Sequence, residues 1–593
     1  MGLYKNSGIK EVDFVEIKNN YLKNLVSNMT LDEKIGQLFT VICEGGIYLP
    51  AMESLIADYH CGGLRVVPAV RYSQKLFVDK AKRQQGKERE ERIYWTASTK
   101  NPPDVTLEQY SMVLKRYQEL ARRRKSGVPL RIAYDQEGGF SRDLTFGGAF
   151  VFPPPMGLTA TGDPALAYEA AYALGRLGRA VGVNMIHSPV LDVNVQPDNP
   201  EIYTRAYSDD PERVTAFARE TLKGFRDADM IATAKHFPGR GDSLKDAHFE
   251  IPVIDTDWAT LWERELYPYR VLIQEGLIPV IMTAHTIYPA VDPDEIATLS
   301  EKMLKGVLRG KLGFEGVITT DAIGMKGVTL KYDVPTACVK ALTAGADMLL
   351  MRMSTDEPIG PVIPQTVERI KQAVSDGRLD ERELDEKVYR ILNLHEKANI
   401  LRTSGRAQES IGQVLADPRC IGTCRAASER SVAVCRNKAD LLPLPKNARA
   451  LVVEQRVPRQ FCPNNGPWYH GMFYDQLCRF SNELSYIETG MQCSEEERRM
   501  IFDNLDAFDL VIATNWYYRD EIGSNTQLVQ DIIRAGKKVI VVGDTPYEKQ
   551  CIPKEADTAV VQFGVTPYSI GVTAEILFGE REPQAVWPIS YRP

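Results

Sequence analysis

Met230-Ile-Ala-Thr-Ala-Lys235-His236-Phe-Pro-Gly-Arg240-Gly-Asp-Ser-Leu-Lys-Asp246-Ala-His248 passes from a short apolar run into a polar loop. Met230 to Ala234 reads as a buried strand, being apolar, β-branched in part and bounded by turn residues. Pro238, Gly239 and Gly241 break it into a loop. Lys235 and His236 stand at its end, and Asp246 and His248 follow two residues apart. An imidazole exchanges protons near neutral pH, and a neighbouring carboxylate fixes its tautomer. A strand end that opens into such a loop is where an α/β barrel keeps its chemistry. Alone, an Asp-x-His pair is two solvated side chains, so the reading rests on the remainder of the chain.

Seven further apolar runs surround this one: Ile35–Val41, Gly63–Val67, Leu130–Tyr134, Val183–Val193, Val280–Ala284, Gly316–Thr320 and Ala346–Met351. Met112–Ala121, Ala165–Ala180, Pro211–Arg226, Trp258–Gln274 and Glu301–Leu308 read between them as helices by apolar spacing. Gly175, Gly178 and Pro268 threaten the continuity of two of these helices. Strand–helix alternation implies parallel strands joined by crossovers, and eight repeats suit an N-terminal (β/α)8 TIM-like barrel. A doubly wound open sheet is the alternative. Ionisable residues recur at the same end of these runs: Asp135 and Glu137, His187 and Asp192, Lys235 and His236, His285, Asp321. A core alone does not demand this; a shared rim does.

The 593 residues exceed what one core accommodates. A barrel domain over 1–402, a linker over 403–420 with Ser404-Gly405 and Asp417-Pro418, and a second unit over 421–593 are expected. In that unit Ala450–Val453, Leu510–Ala513 and Lys538–Val542 read as strands of a C-terminal α/β three-layer sandwich. Tyr469-His470 and Trp516-Tyr517-Tyr518 suit core or interface packing better than sugar stacking. Residues 75–104 are dense in charge and read as a solvated insertion without assigned function.

A net charge of −7 gives no basis for a nucleic-acid surface. There is no apolar run of membrane-spanning length, and the N-terminus lacks the apolar core of a secretion signal. The ten cysteines contain no Cys-x-x-Cys pair, so they read as reduced thiols of a cytoplasmic protein rather than a metal site. No phosphate loop or nicotinamide fingerprint occurs, and no cofactor or metal is expected. The oligomeric state has no signature in the sequence.

Four more segments join the loop. They are Asp135-Gln-Glu-Gly-Gly139, the stretch Pro200-Glu-Ile-Tyr-Thr-Arg205-Ala-Tyr-Ser-Asp-Asp-Pro211, Ala297-Thr-Leu-Ser300 with Gly313-Phe-Glu-Gly316, and Val317-Ile-Thr-Thr-Asp321-Ala-Ile-Gly-Met-Lys-Gly-Val328. In this order they resemble glycoside hydrolase family 3, in its two-domain β-N-acetylhexosaminidase branch. The resemblance covers residues 30–400. It continues more faintly through Glu429–Leu444 and Phe578-Gly-Glu580.

The resemblance implies a retaining exo-β-N-acetylglucosaminidase that releases terminal GlcNAc from chitin or peptidoglycan fragments. It implies Asp321 as nucleophile and His248, held by Asp246, as acid/base. Such chemistry needs a carboxylate at the anomeric carbon and a proton donor at the leaving oxygen. Asp135 matches the carboxylate that grips sugar hydroxyls. Arg205, Lys235 and His236 match a polar clamp on the sugar, and Arg142 a further arginine, one residue out of the usual spacing. His187 and His285 are supporting or core residues. Arg240 and Ala247 depart from the branch. Arg240 is expected to pair with Asp242 or Asp246, or else to bind an anionic group on the substrate. Three other readings share the scaffold: a phosphorylase using the neutral His base, a β-glucosidase, which the Asp-x-His dyad argues against, and a silent sugar-binding protein.

Overall fold

The structure is a computed structural model and describes residues 11–68, 105–351, 362–401, 409–457, 469–518 and 524–593. The charged stretch 75–104 and the Ser404-Gly405 part of the expected linker lie outside the described residues. Eight parallel strands close into a barrel: β1 (Phe39–Glu44), β2 (Gly63–Val67), β3 (Arg131–Tyr134), β4 (Met185–Ile186), β5 (Ile231–Phe237), β6 (Val280–Thr283), β7 (Val317–Ala322) and β8 (Met348–Met351). Each pairs with its sequence neighbours, and β1 with β8, so the sheet has no edge.

All eight expected strands are present, two of them with a bound moved by more than three residues. Ile35 to Leu38 belong to a helix, Leu31–Leu38, which delays β1 to Phe39. The cause is a capping box: Thr30 Oγ1 accepts from the Glu33 N–H, and the Glu33 carboxylate accepts from the Thr30 N–H at 2.9 Å. The run Val183–Val193 is a strand only at Met185–Ile186, with one further bridge from Val190 to Lys235. Pro189 cannot donate to the ladder, and the released chain brings Asp192 to the rim.

The Pro164–Val181 helix runs unbroken through Gly175 and Gly178. These glycines face neighbours: an added Cβ would stand 2.6 Å from Ala228 Cβ at Gly175 and 2.7 Å from the Tyr134 hydroxyl at Gly178. The expected helix Trp258–Gln274 instead widens into a π-turn at Leu261–Glu265 before the α-helix Leu266–Gln274. Pro268 lacks an N–H and its ring crowds the preceding turn, which the wider winding accommodates. Lys302–Lys311, expected as an α-helix, winds in the same wide manner.

The second unit is a six-stranded sheet in the order β9 (Ala433–Asn437), β14 (Thr558–Val561), β13 (Lys538–Gly543), β12 (Leu510–Asn515), β10 (Ala450–Gln455), β11 (Leu484–Thr489). Only β9 is antiparallel. Successive residues face opposite layers: Ala450 and Val452 join Phe473, Leu477 and Ile570 on one side, Leu451 and Val453 join Leu528 and Ile532 on the other. Helices therefore cover both faces, as expected for a three-layer sandwich. Ile411–Leu415 and Pro418–Glu429 are helices whose Ile411, Val414 and Cys420 join the barrel's apolar cluster. Arg176 on the Pro164–Val181 helix pairs with Glu409 and Asp417 at 2.6 and 2.5 Å, anchoring that segment to the barrel.

The loop after β5 is packed against the Val193–Asn194 backbone, and a Cβ on Gly241 would fall 1.8 Å from the Val193 carbonyl oxygen. Nothing but glycine fits there. Gly241→Ala is expected to destabilise the protein by roughly 3 kcal/mol, read as a lowered thermal midpoint. An unchanged midpoint would contradict this packing of the loop.

Candidate active site

The strand ends converge on one rim. β3 delivers Asp135, β5 delivers Lys235 and His236, β6 leads into His285, and β7 carries Asp321. The loop after β4 brings Asp192, Glu201 and Arg205, and the loop after β5 brings Arg240, Asp246 and His248.

Asp192 ties the turn of the β5 loop. Its Oδ1 accepts from the Arg240 N–H at 2.8 Å and from the His236 N–H at 3.4 Å, while Oδ2 stands 2.8 Å from His236 Nδ1. Burial pushes the Asp192 carboxyl up to about 6, against the pull of Arg240. Burial, with the charges of Arg240, Arg205 and Lys235, holds His236 well below the usual imidazole range, so this ring is neutral and structural.

A second group surrounds Asp135. Arg65, a charge within the apolar β2, pairs with Asp135 at 2.5 Å and with Asp143 at 2.9 Å. His187 Nδ1 stands 3.1 Å and Lys235 Nζ 3.6 Å from Asp135 Oδ1. Burial raises the Asp135 carboxyl, but Arg65, Lys235 and His187 together hold it well below the usual range. Glu137 binds Arg205 through both oxygens, at 2.8 and 3.0 Å, and Lys235 at 2.7 Å. Burial opposes its ionisation, yet the two cations bring it to about 2. Lys235 and Arg205 are thus buried partners of Glu137, whereas the Asp135 side chain remains 21% exposed.

The third group joins the remaining predicted residues. His248 Nδ1 lies 2.7 Å from Asp246 Oδ1, which also accepts the His248 N–H at 2.8 Å. Glu201 Oε1 lies 3.4 Å from the same ring nitrogen and 3.1 Å from Arg240 Nη2. Arg240 Nη2 donates in turn to Asp321 Oδ2 at 3.3 Å. Arg240 therefore pairs with Glu201 and Asp321, not with Asp242 or Asp246 as expected. Asp242 is taken by Arg264 at 2.6 Å. Burial raises Asp321, but Arg240, His285, His248 and the Ala322 N–H outweigh it and keep the carboxylate ionised. His285 braces the next residue, with Nε2 3.1 Å from the Ala322 carbonyl, and burial lowers its ring to about 4. Glu201, Asp246 and His248 have the mutual spacing of a cation site, but the Arg240 guanidinium already supplies positive charge there.

Arg142 sits in the hairpin of Gln136–Gly138 and Ser141–Arg142, is buried, and donates to the Gly139 carbonyl. Glu201, Arg65 and Asp143 were not singled out from the sequence. Arg65 carried a signal, a lone cation inside an apolar strand. Glu201 carried none beyond lying four residues before Arg205.

The sandwich reaches this rim. Tyr517 donates its hydroxyl to the Pro200 carbonyl at 3.1 Å and stacks edge-on against Tyr203, centroids 5.2 Å apart. Gln550 donates to the Asn199 carbonyl at 3.1 Å, and Asn194 to the Tyr547 hydroxyl at 2.8 Å. Tyr203 holds φ at +30°, a conformation unfavourable for a side-chain-bearing residue, in the 3-10 turn Tyr203–Arg205 between Glu201 and Arg205. Tyr518 packs on Phe140 of the other rim hairpin. Trp516, Tyr517 and Tyr518 are buried, in keeping with the packing role expected of them, whereas Tyr469 and His470, expected to pack likewise, are exposed.

With this geometry in view, the comparisons with known proteins are specific. The family model described as glycosyl hydrolase family 3 N terminal domain matches residues 30–394. The chain belongs to family 3. The β-hexosaminidase A of Pseudoalteromonas piscicida is 32% identical over 296 residues, 47% of this chain and 49% of that protein. The β-hexosaminidase of Nitrosospira multiformis is 40% identical over 230 residues, 38% of this chain and 64% of that protein. This chain thus spans about half the length of the first relative and just under two thirds of the second. A solved family 3 β-N-acetylglucosaminidase from Paenibacillus sp. superposes with a TM-score of 0.79 at 29% identity, covering 95% of this chain and 99% of that one. The loop after β4, which borders the rim, is held by both units of the chain.

Truncating Tyr517 separates ring from hydroxyl. Tyr517→Phe is expected to lose about 0.5–1.5 kcal/mol and Tyr517→Ala about 3–5 kcal/mol in denaturant unfolding. Equal stability of the alanine variant and the parent would show that the ring does not hold the Tyr203 turn.

Proposed function

We propose that this family 3 protein is a retaining exo-β-N-acetylglucosaminidase that releases terminal GlcNAc from short glycosides such as chitin or peptidoglycan fragments. The observation that carries the proposal is the convergence of an ionised, nearly buried carboxylate, Asp321, with a third-exposed imidazole, His248, whose Nδ1 is held by Asp246. The printed names of the relatives, β-hexosaminidase and β-N-acetylglucosaminidase, support the substrate class.

In the proposed reaction an Asp321 oxygen attacks the anomeric carbon as the glycosidic bond breaks. His248 gives the proton on Nε2 to the leaving oxygen. The neutral ring then takes a proton from water, whose oxygen attacks the same carbon and frees the Asp321 carboxylate. Asp246 fixes the tautomer throughout. Asp135, the most accessible carboxylate of its cluster, meets sugar hydroxyls. Lys235 and Arg205 orient Glu137 beneath it, His236 anchors the loop through Asp192, and Arg142 stabilises the adjoining hairpin. Arg240, 2% exposed, acts on Asp321 rather than on an anionic substituent. Two carboxylates flank His248, which favours water over phosphate as acceptor, since phosphate would meet their charge.

We take the catalytic barrel as residues 1–402, the connection as 403–420 and the sandwich as 421–593. Among the described residues no helix is long and apolar enough to cross a membrane. The free thiols of Cys420 and Cys424 suit a reducing compartment, and we assign the protein to the cytoplasm.

Hydrolysis of p-nitrophenyl β-GlcNAc and β-glucoside, with and without phosphate, tests the reading. Release from the GlcNAc substrate, unaltered by phosphate, is expected; release from neither, in folded protein, would refute it. Asp321→Asn is expected to lose nearly all turnover. His248→Ala is expected to lose about 10²–10⁴-fold on an alkyl glycoside and far less on the nitrophenyl glycoside, whose leaving group needs no proton. Equal losses on both would remove the acid role from His248.

A further inference from the structure

Glu201 has no part in the reaction as derived so far, yet it lies between its two principals. The structure places five charged or chargeable groups in sequence: Asp246, His248, Glu201, Arg240 and Asp321. The successive separations are 2.7, 3.4, 3.1 and 3.3 Å. Signs alternate along this chain when His248 is protonated. Glu201 is 2% exposed and also has Arg205 Nη1 at 3.7 Å. Burial alone would neutralise it, but Arg240, His248 and Arg205 keep it well below the usual carboxylate range.

We propose that Glu201 is a positioning residue that holds the proton-bearing form of His248 and, through Arg240, links that ring to the nucleophile Asp321. The inference rests on the glycosidase reading of this same site. The groups facing His248 are Asp246 on its own loop, Glu201 from the loop after β4, Asp321 on β7 and His285 after β6. Lys326, whose backbone N–H lies 3.4 Å from the His248 carbonyl oxygen, follows β7. Of the charged groups Asp246, Glu201 and Asp321 favour the imidazolium, and Arg240 opposes it.

The arrangement has a consequence for the cycle. In the free enzyme Asp321 and Glu201 share Arg240, and His248 feels three anions, as an acid requires. Formation of the glycosyl ester removes the charge of Asp321 and leaves Arg240 facing Glu201 alone. His248 then holds a proton less firmly in the step where it must be neutral to accept one from water. The Tyr203 turn, clamped by Tyr517, fixes where Glu201 stands, so the sandwich contributes to this linkage without touching substrate.

The test follows the ring directly. Histidine-labelled protein has seven imidazoles, and His248→Ala identifies the resonance of interest in an NMR pH titration. Glu201→Gln removes the anion and frees more of the Arg240 charge; both act in one direction. The His248 titration is expected to fall by about one pH unit, a tenfold loss of proton affinity. The alkaline limb of kcat/KM on methyl β-GlcNAc is expected to fall with it, while KM changes little. Asp321→Asn is expected to move the titration the same way by less. If Glu201→Gln does not fold, Glu201→Asp, which keeps the charge on a shorter stem, has to move it by a smaller amount. An unmoved His248 titration in the folded variant would overturn the proposal. The titration needs no turnover, so it decides the linkage even if the GlcNAc substrates are not cleaved. A moved titration without a matching limb would fault the acid assignment instead.

Discussion

A single guanidinium nitrogen organises the rim. Arg240 Nη2 reaches Glu201 at 3.1 Å and Asp321 at 3.3 Å, inside a region where neither carboxylate could stay ionised unaided. Burying charges is costly unless partners replace water. Here the strand ends supply those partners from separate elements, so that the ion pairs form only when the barrel closes. The backbone of Arg240 is held as firmly as its head group, through the Asp192 carboxylate that also binds His236. Loss of this arginine would leave two carboxylates facing each other in a dry site. Protonating one of them would relieve the repulsion.

The second unit is part of this arrangement. Some of its inter-domain contacts fall on the segment 194–203 and on Phe140, which flank the charged groups of the rim, and others reach Ala160, Ser208, Asp209 and Arg213. Tyr203 keeps its unfavourable backbone because the Tyr517 ring and the sandwich core surround it on one side. A strained turn persists only when its surroundings over-determine it. In this protein the constraint comes from another domain, and the residues it places are Glu201 and Arg205.

Much of this was legible in the residues. Eight apolar runs of strand length, five of them ending in ionisable groups, led to the barrel, and the alternation resumed in the sandwich. The Asp246–His248 pair, Asp321 and the Asp135–Lys235 group stand at strand ends or in the loops that follow them, where a shared rim was expected. Boundaries were lost where local chemistry overrode the pattern: the Thr30–Glu33 capping box turned half of an apparent strand into helix, and Pro189 ended β4 early. The partner of Arg240 was misread because sequence proximity favoured Asp242 and Asp246. The actual partners lie 39 residues before it and 81 after it, brought near only by closure of the barrel. Strands β9, β11 and β14 went unread; β9 and β11 interleave polar residues with apolar ones.

In the proposed reaction Asp321 becomes covalently attached to the sugar. A slow β-GlcNAc fluoride, from which a carboxylate displaces fluoride to leave a long-lived glycosyl ester, tests this by mass spectrometry of the digested protein. One added glycosyl mass is expected, on the peptide that contains Asp321, and none in Asp321→Asn. A label on another residue, or fluoride release with inverted product and no adduct, would contradict it.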